Sequence, residues 1–250
     1  MPDYPSAPET PMPAGFFPST LVHTDRGLRR IEDLRIGDLV VSKSTSTDEN
    51  ILRPVSSVAK IEDTPIILVR FSFRTGNGAQ SESIIIAGLP YFFVSGIDPD
   101  YPEEFKDELQ HLFGWQEIRK VESLLRVKSL TDPFASMRSV KQVWQSRTAS
   151  IGWIEVSRDS DTGYPIEFKD DQAFEVRKVV NIHGLMEGRD YLLRHETIEM
   201  ADEVAMKSTV HAIEIEENLP FFIGSHGIFV QPGRTPDSFT AWAHERIWED

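Results

Sequence analysis

The sequence predicts a mainly β protein, and three observations carry that prediction. Short apolar runs separated by turn residues recur along the chain, and one pair of them flanks an Asn-Gly dipeptide, a strong short-range hairpin signal. Strand and helix patterns do not alternate regularly, which argues against an α/β architecture. A length of 250 residues suits one large all-β domain, or one core with a sizeable insertion.

Residues 1–14 are proline-rich with little periodicity and read as a flexible, extended arm. Regular structure is expected from about Ser19. Leu21-Val22 leads into Thr24-Asp25-Arg26-Gly27, a turn whose glycine can take positive φ. Ile31-Glu32-Asp33-Leu34 makes a short helical turn, and Gly37-Asp38 breaks the chain before the strand Leu39-Val40-Val41-Ser42. A polar loop over residues 43–50 follows. The clearest hairpin then pairs residues 66–73 with residues 83–86 across Thr75-Gly76-Asn77-Gly78. Leu89-Pro90-Tyr91-Phe92-Phe93-Val94 reads as a buried strand, with Phe92-Phe93 as core. Residues 101–113 place Phe105, Leu109 and Phe113 at helical spacing.

Farther on, residues 152–156 and 165–168 are expected to pair across Asp159-Ser160-Asp161-Thr162-Gly163, with residues 174–180 as a third strand. Residues 196–207 read as a helix of mixed charge. Apolar and polar residues alternate again at Val210-His211-Ala212-Ile213-Glu214-Ile215-Glu216. Two short strands follow, Phe221-Phe222-Ile223-Gly224 and Gly227-Ile228-Phe229-Val230. Pro232-Gly233 stops them, and residues 238–248 carry a pattern compatible with a terminal helix, with Trp242 and Trp248 on it.

Composition excludes several functions. The chain has no cysteine, so disulfides, thiolate metal sites and a cysteine nucleophile are absent. A formal charge of -14, with no Lys/Arg run longer than Arg29-Arg30, argues against nucleic acid as the direct ligand. That charge serves solubility, or makes a docking surface for a basic protein. No stretch approaches the roughly 18–20 apolar residues of a membrane helix, and the first residues lack a basic and apolar leader pattern. A cytoplasmic location, or export without a cleavable signal peptide, is the expectation.

Three segments, in order, resemble the Hint (hedgehog/intein) family. The first runs from Ser19-Thr20-Leu21-Val22-His23-Thr24 through Gly27 and Ile31-Glu32 to Gly37-Asp38-Leu39-Val40, and is similar to the family's opening block. The second is Leu89-Pro90-Tyr91-Phe92 with Gly114-Trp115. The third runs from Val210 through Phe221-Phe222-Ile223-Gly224 to Gly227-Ile228-Phe229-Val230 and resembles the closing block. Together they cover about half of the chain, and the look is nearest to the processing Hint domains of polymorphic toxins. The resemblance implies a horseshoe of short strands over residues 15–231 with a few short helices. It also implies a large insertion at about 130–206 and a tail over 232–250.

It implies a chemistry that this chain lacks. In the family a Cys or Ser attacks the preceding carbonyl, and the matching position here is Gly15, which has no side chain. The Thr and His that polarise and protonate the scissile amide are matched by Ile86 and Leu89. The closing His-Asn pair is matched by Gln231 and Pro232, with Gly233 in the acceptor's place. Because these roles act as a unit, self-processing has no route left. Ser19 lies near but inside the matched strand, without a partnered base. Apolar Ile86 and Leu89 suggest a former cleft filled by core packing, and Pro232 a rigid exit.

No cofactor or metal site is expected. His195-Glu196-Thr197-Ile198-Glu199 lacks the second histidine of a zinc-protease motif, and residues 159–163 read as a hairpin turn better than as a calcium loop. The acidic run Asp98, Asp100, Glu103, Glu104, Asp107 and Glu108 is a solvated helix face or a grip for a cation or basic protein. The favoured function is a catalytically degenerate Hint-like module that binds a protein, in a bacterial toxin or secretion setting. The alternative is an enzyme or effector activity in the insertion, with Tyr164, Glu167, His183 and His195 as its titratable candidates.

Overall fold

Two apolar runs, Ile66-Ile67-Leu68-Val69 and Ile84-Ile85-Ile86-Ala87, set the architecture, because a strand without a polar face must be covered on both sides. They pair antiparallel, with Ile67 opposite Ile86 and Leu68 opposite Ile85. Side chains alternate between faces, so Val69, Phe71, Phe73, Ile84 and Ile86 enter one core. Ile66, Leu68, Ile85 and Ala87 enter a second.

The computed structural model describes residues 15–44, 47–75, 78–88, 90–118, 125–131, 135–146, 150–155, 162–170, 172–175, 180–181 and 200–231. It is mainly β, as the sequence predicts. The strands begin with β1 (Gly15–Phe16), β2 (Leu21–Thr24), β3 (Gly27–Arg30), β4 (Leu39–Lys43), β5 (Asn50–Thr75), β6 (Gly78–Ala87) and β7 (Tyr91–Ile97). Next come β8 (Gly114–Glu117), β9 (Leu125–Val127), β10 (Ser136–Gln142), β11 (Trp144–Ser146), β12 (Ile151–Glu155) and β13 (Thr162–Lys169). The last are β14 (Gln172–Glu175), β15 (Val180–Asn181), β16 (Met200–Ala205), β17 (Lys207–Ile215), β18 (Phe221–Ile223) and β19 (Ile228–Gln231).

β5 changes partner twice along its 26 residues. It pairs with β4 up to Pro54, with β17 from Val55 to Pro65, and from there with β6 on one side and β10 on the other. A proline marks each change, which fits a residue that has no N–H to give to a ladder. Two closed circuits of paired strands therefore share β5. One runs β5-β10-β9-β7-β19-β18-β4 and back, the other β5-β6-β1-β17 and back. Every strand of the first circuit contributes to the main core, through residues such as Val40, Phe71, Phe92, Val127, Met137, Phe221 and Val230.

Strands β11 to β16 form a separate sheet in the order β14-β13-β12-β11-β16, with β15 also on β13. Val143, Ile154, Ile166 and Met206 press it onto Phe17, Ile66, Leu68 and Val210 of the first sheet. The Phe17 and Phe168 rings meet edge-on at 5.6 Å. The expected hairpin between residues 152–156 and 165–168 is present as β12 on β13, with Ile151 opposite Glu167 and Glu155 opposite Gly163. Within the stretch from 130 to 206, β10 belongs to the first sheet and the second begins only at Trp144.

Several local expectations are corrected. The helix expected over residues 196–207 is strand β16 in its described part, where pairing with β11 supplies the hydrogen bonds that local helix propensity cannot outbid. Residues 101–113 form two 3-10 turns, Glu103–Phe105 and Asp107–Leu112, and not an α-helix; Gly114 and β8 stop them within a few residues. A strand is present at Gly15–Phe16, ahead of the expected Ser19, and Ser19 lies in a turn between β1 and β2. The first half of β5 has no element in the sequence reading, because Pro54 and Pro65 disguise it. The arm over 1–14, the tail over 232–250 with Trp242 and Trp248, and the histidines His183 and His195 lie outside the described residues. Among the described residues no helix is long and apolar enough to cross a membrane.

The acidic run divides in two. Glu103, Glu104 and Asp107 are exposed, but Asp98 is buried, so a wholly solvated face is not what forms. Asp98 Oδ2 accepts hydrogen bonds from Ser136 Oγ at 2.6 Å and Arg138 Nη2 at 3.3 Å. Its Oδ1 accepts from the Asp100 backbone N–H at 3.0 Å and from Arg74 Nη2 at 3.4 Å. The carboxylate thus ties the end of β7 to β10 and β5. Burial alone would raise its pKa, yet the bonds from Ser136 and Asp100, with Arg138 and Arg74 beside it, hold it below its ordinary 3.8. A lowered folded pKa means that the group adds stability above pH 3.8, lost as the pH falls through the folded value. Asp98→Asn should cost about 1–3 kcal/mol at neutral pH, the worth of hydrogen bonds to a charged group, and less at about pH 2, below the ordinary carboxylate value. Urea unfolding at the two pH values checks this; an equal loss at both would refute it.

Candidate functional site

The positions matched to the Hint chemistry can be followed into the fold. Gly15 sits in β1 opposite Ala87, and Phe16 lies between Ile86 on one side and His211 on the other. Ile86 is fully buried in the main core together with Phe16, Phe221 and Val230. The Phe16 ring meets Phe221 edge-on at 6.1 Å, and Phe221 pairs with Val230, one residue before Gln231. The fold thus brings Gly15 and Ile86 together and joins them to the closing hairpin through apolar rings. Leu89 and Pro232 lie outside the described residues.

Gly15 is closed as well as bare. A Cβ added there would fall 2.4 Å from Val210 Cγ2 and 3.0 Å from Val210 Cβ. Val210 is fully buried and belongs to β17, and a β-branched side chain on a paired strand has few rotamers into which to retreat. At the other end, Gln231 is buried opposite Tyr91, and its Nε2 donates to the Asn218 carbonyl at 3.0 Å. Burial, with Glu117 adding to it, pushes the Tyr91 phenol above its ordinary pKa. Among the described residues beside Gly15, Phe16, Ile86, Ala87 and Val210 have hydrocarbon side chains, and His211 stands opposite Phe16 in the ladder.

The candidates in the second sheet are not assembled. Tyr164 and Glu167 lie three residues apart on β13 and point to opposite faces. Arg70 lies over the Tyr164 ring at 5.6 Å, while Glu167 is exposed.

A polar cluster that sequence reading missed lies on the turn between β18 and β19. Glu82 on β6 accepts from the backbone N–H of Ser225 at 2.5 Å through Oε1, and from that of His226 at 3.4 Å through Oε2. The His226 ring stacks on Phe73 with centroids 3.9 Å apart. Its Nδ1 is 3.2 Å from Glu82 Oε2 and 2.9 Å from Ser225 Oγ, and its Nε2 is 3.2 Å from Gln80 Oε1. Nearby, His23 Nε2 faces the Gly224 carbonyl at 3.0 Å, an acceptor that places the hydrogen on Nε2. Burial lowers the pKa of His23 most strongly; that bond and Glu82 oppose the shift, and His226 adds to it. Some 143 residues separate Glu82 from Ser225, so no local spacing could have revealed the pair.

This cluster clasps a turn and does not form a nucleophilic relay. A Ser-His-acid relay needs the hydroxyl and the carboxylate on opposite ring nitrogens, and here both meet Nδ1. Among the described residues no group of three or more His, Asp and Glu is arranged to hold a metal ion.

No family model matches the chain, and no curated protein sequence matches it. Solved structures similar to it are inteins. The solution structure of a bacterial intein-like domain from Clostridium thermocellum is 16% identical, covers 88% of this chain and 99% of that one, and has a TM-score of 0.46. The crystal structure of a DnaB intein from Synechocystis sp. PCC 6803 is 11% identical over 88% of this chain and 99% of that one, with a TM-score of 0.42. Nothing about the chemistry of this chain follows from likenesses of that size.

The closure at Gly15 is directly testable. Gly15→Ser should destabilise by about 1–3 kcal/mol, the usual cost of overpacking, as read by urea unfolding. Val210→Ala opens the space, so the double variant should lose about 1 kcal/mol less than the sum of the two single losses. Strict additivity would show that Gly15 is not held against Val210.

Proposed function

We propose that the chain is a Hint-type module that neither cleaves nor splices itself and that acts by binding another protein. The observation that carries this reading is the closed space at Gly15. The position matched to the nucleophile has no room for a side chain, and its strand is paired on both sides. The buried Ile86 and the Gln231 amide spent on Asn218 support the same reading, since neither holds a group in position to polarise or cut a peptide bond. The order of the three Hint-like segments supports the family assignment. A charge of -14 suits a basic protein as partner, and the resemblance to the Hint domains of polymorphic toxins suits a bacterial toxin or secretion setting. A cytoplasmic chain, or one exported without a cleavable signal, is compatible with that setting.

The decisive experiment follows the intact mass during prolonged incubation with hydroxylamine, which traps esters and thioesters. The expected result is an unchanged mass at all times. A product cut before Gly15 or after Gln231 would overturn the non-processing half of the reading. The binding half is tested by native mass spectrometry of the tagged chain from its source cells. A stoichiometric complex with a basic protein, dissociated by raised salt, is expected, and a free chain throughout would overturn it.

A further inference from the structure

We infer that a cleft beside the Glu82 cluster takes a lysine side chain, offered by the basic protein proposed above as partner; the inference therefore rests on that reading. The cleft has a volume of about 160 Å³. It opens where β1 leaves β6, after the last backbone bond from Phe17 N–H to the Ile85 carbonyl at 3.0 Å. The chain turns away there, and the second sheet forms the opposite wall through Ile166.

The lining has two parts that match the two parts of a lysine. Phe17, Leu68, Ile85 and Ile166 give an apolar wall on which a four-carbon stem can lie. Glu82 is the charged group among the residues that line the cleft, with Ser19 and Thr20 beside it. The carboxylate is fixed before any ligand arrives, because the Ser225 and His226 backbone N–H groups and the His226 ring hold it. Gly224 at the rim has φ +76, and a Cβ there would fall 2.9 Å from Glu82 Oε1. Glycine thus leaves that oxygen uncovered.

The pattern of bonds selects an ammonium over a guanidinium. Oε2 already meets the His226 backbone and ring, whereas Oε1 carries one donor, Ser225. An arginine fork wants both oxygens of a carboxylate. An ammonium needs one carboxylate oxygen and can give its other hydrogens to hydroxyls such as those of Ser19 and Thr20. A neutral apolar side chain would fill the walls but leave Glu82 desolvated without compensation.

The test uses the full chain and Nα-acetyl-lysine methylamide, with the norleucine and arginine analogues as controls, followed by amide NMR shifts. Saturable shifts at Gly224, Ser225 and His226 are expected for the lysine compound. About tenfold weaker binding, or more, is expected for both analogues, the worth of one charge-assisted hydrogen bond. Glu82→Gln should weaken lysine binding by a similar factor. Since that variant also disturbs the turn, Ala173→Phe provides a second one, which narrows the cleft from β14 and leaves Glu82 in place; it too should weaken lysine binding about tenfold or more. No saturable shift, equal binding of norleucine, or full binding in both variants would overturn the inference. If the protein complex forms while the lysine compound does not bind, the cleft fails and the binding reading stands. If the compound binds but the chain from cells carries no partner, the binding reading fails and the cleft stands.

Discussion

Continuous backbone hydrogen bonding along β5 is the constraint on which the rest of this structure depends. A strand of 26 residues cannot leave its N–H and C=O groups unpaired. β5 satisfies them by recruiting four neighbours in turn, β4, β17, β6 and β10. Because those neighbours also pair among other strands, the ladder returns to itself twice, and closure removes edges that would otherwise be open to other chains. The main core and the seat of the second sheet are the two faces of the same β5-β6 hairpin.

This arrangement decides what can happen at Gly15. In the smaller circuit β1 is the short piece between β6 and β17, so its residues lie inside a ladder. A side chain at Gly15 competes for space with Val210, and its ladder partner Ala87 and the adjoining Ile86 are buried hydrocarbon. The absence of a reactive side chain at Gly15 and the closure of the ladder there have, on the reading proposed above, the same physical cause. On the reading proposed above, a scaffold whose catalytic cleft is packed shut remains useful for its surface.

Two carboxylates are held in the structure by the donors around them. Asp98 holds β7, β10 and β5 together because a hydroxyl, a backbone N–H and two guanidinium groups outweigh its desolvation. Glu82 holds the β18-β19 turn in the same way, with two backbone N–H groups and an imidazole. The difference lies in surroundings. Asp98 has its donors on all sides, while Glu82 borders open space.

What the sequence determined by itself is local. Alternation and apolar runs marked β2, β4, the β5-β6 hairpin, β7, β12, β13 and β17 to β19, because a strand's side-chain period is written in consecutive residues. The expectation that Gly15 and Ile86 carry no reactive side chain likewise needs only the residue types. The tertiary structure decided the rest. It turned the proline-marked first half of β5 into a strand and residues 200–205 into β16, since long-range pairing supplies hydrogen bonds that no local pattern records. Only the fold could show that Val210 occupies the space above Gly15, or that Glu82 reaches a turn more than a hundred residues away. Those are contacts between distant segments, and the energy that creates them is packing and hydrogen bonding across the closed ladder.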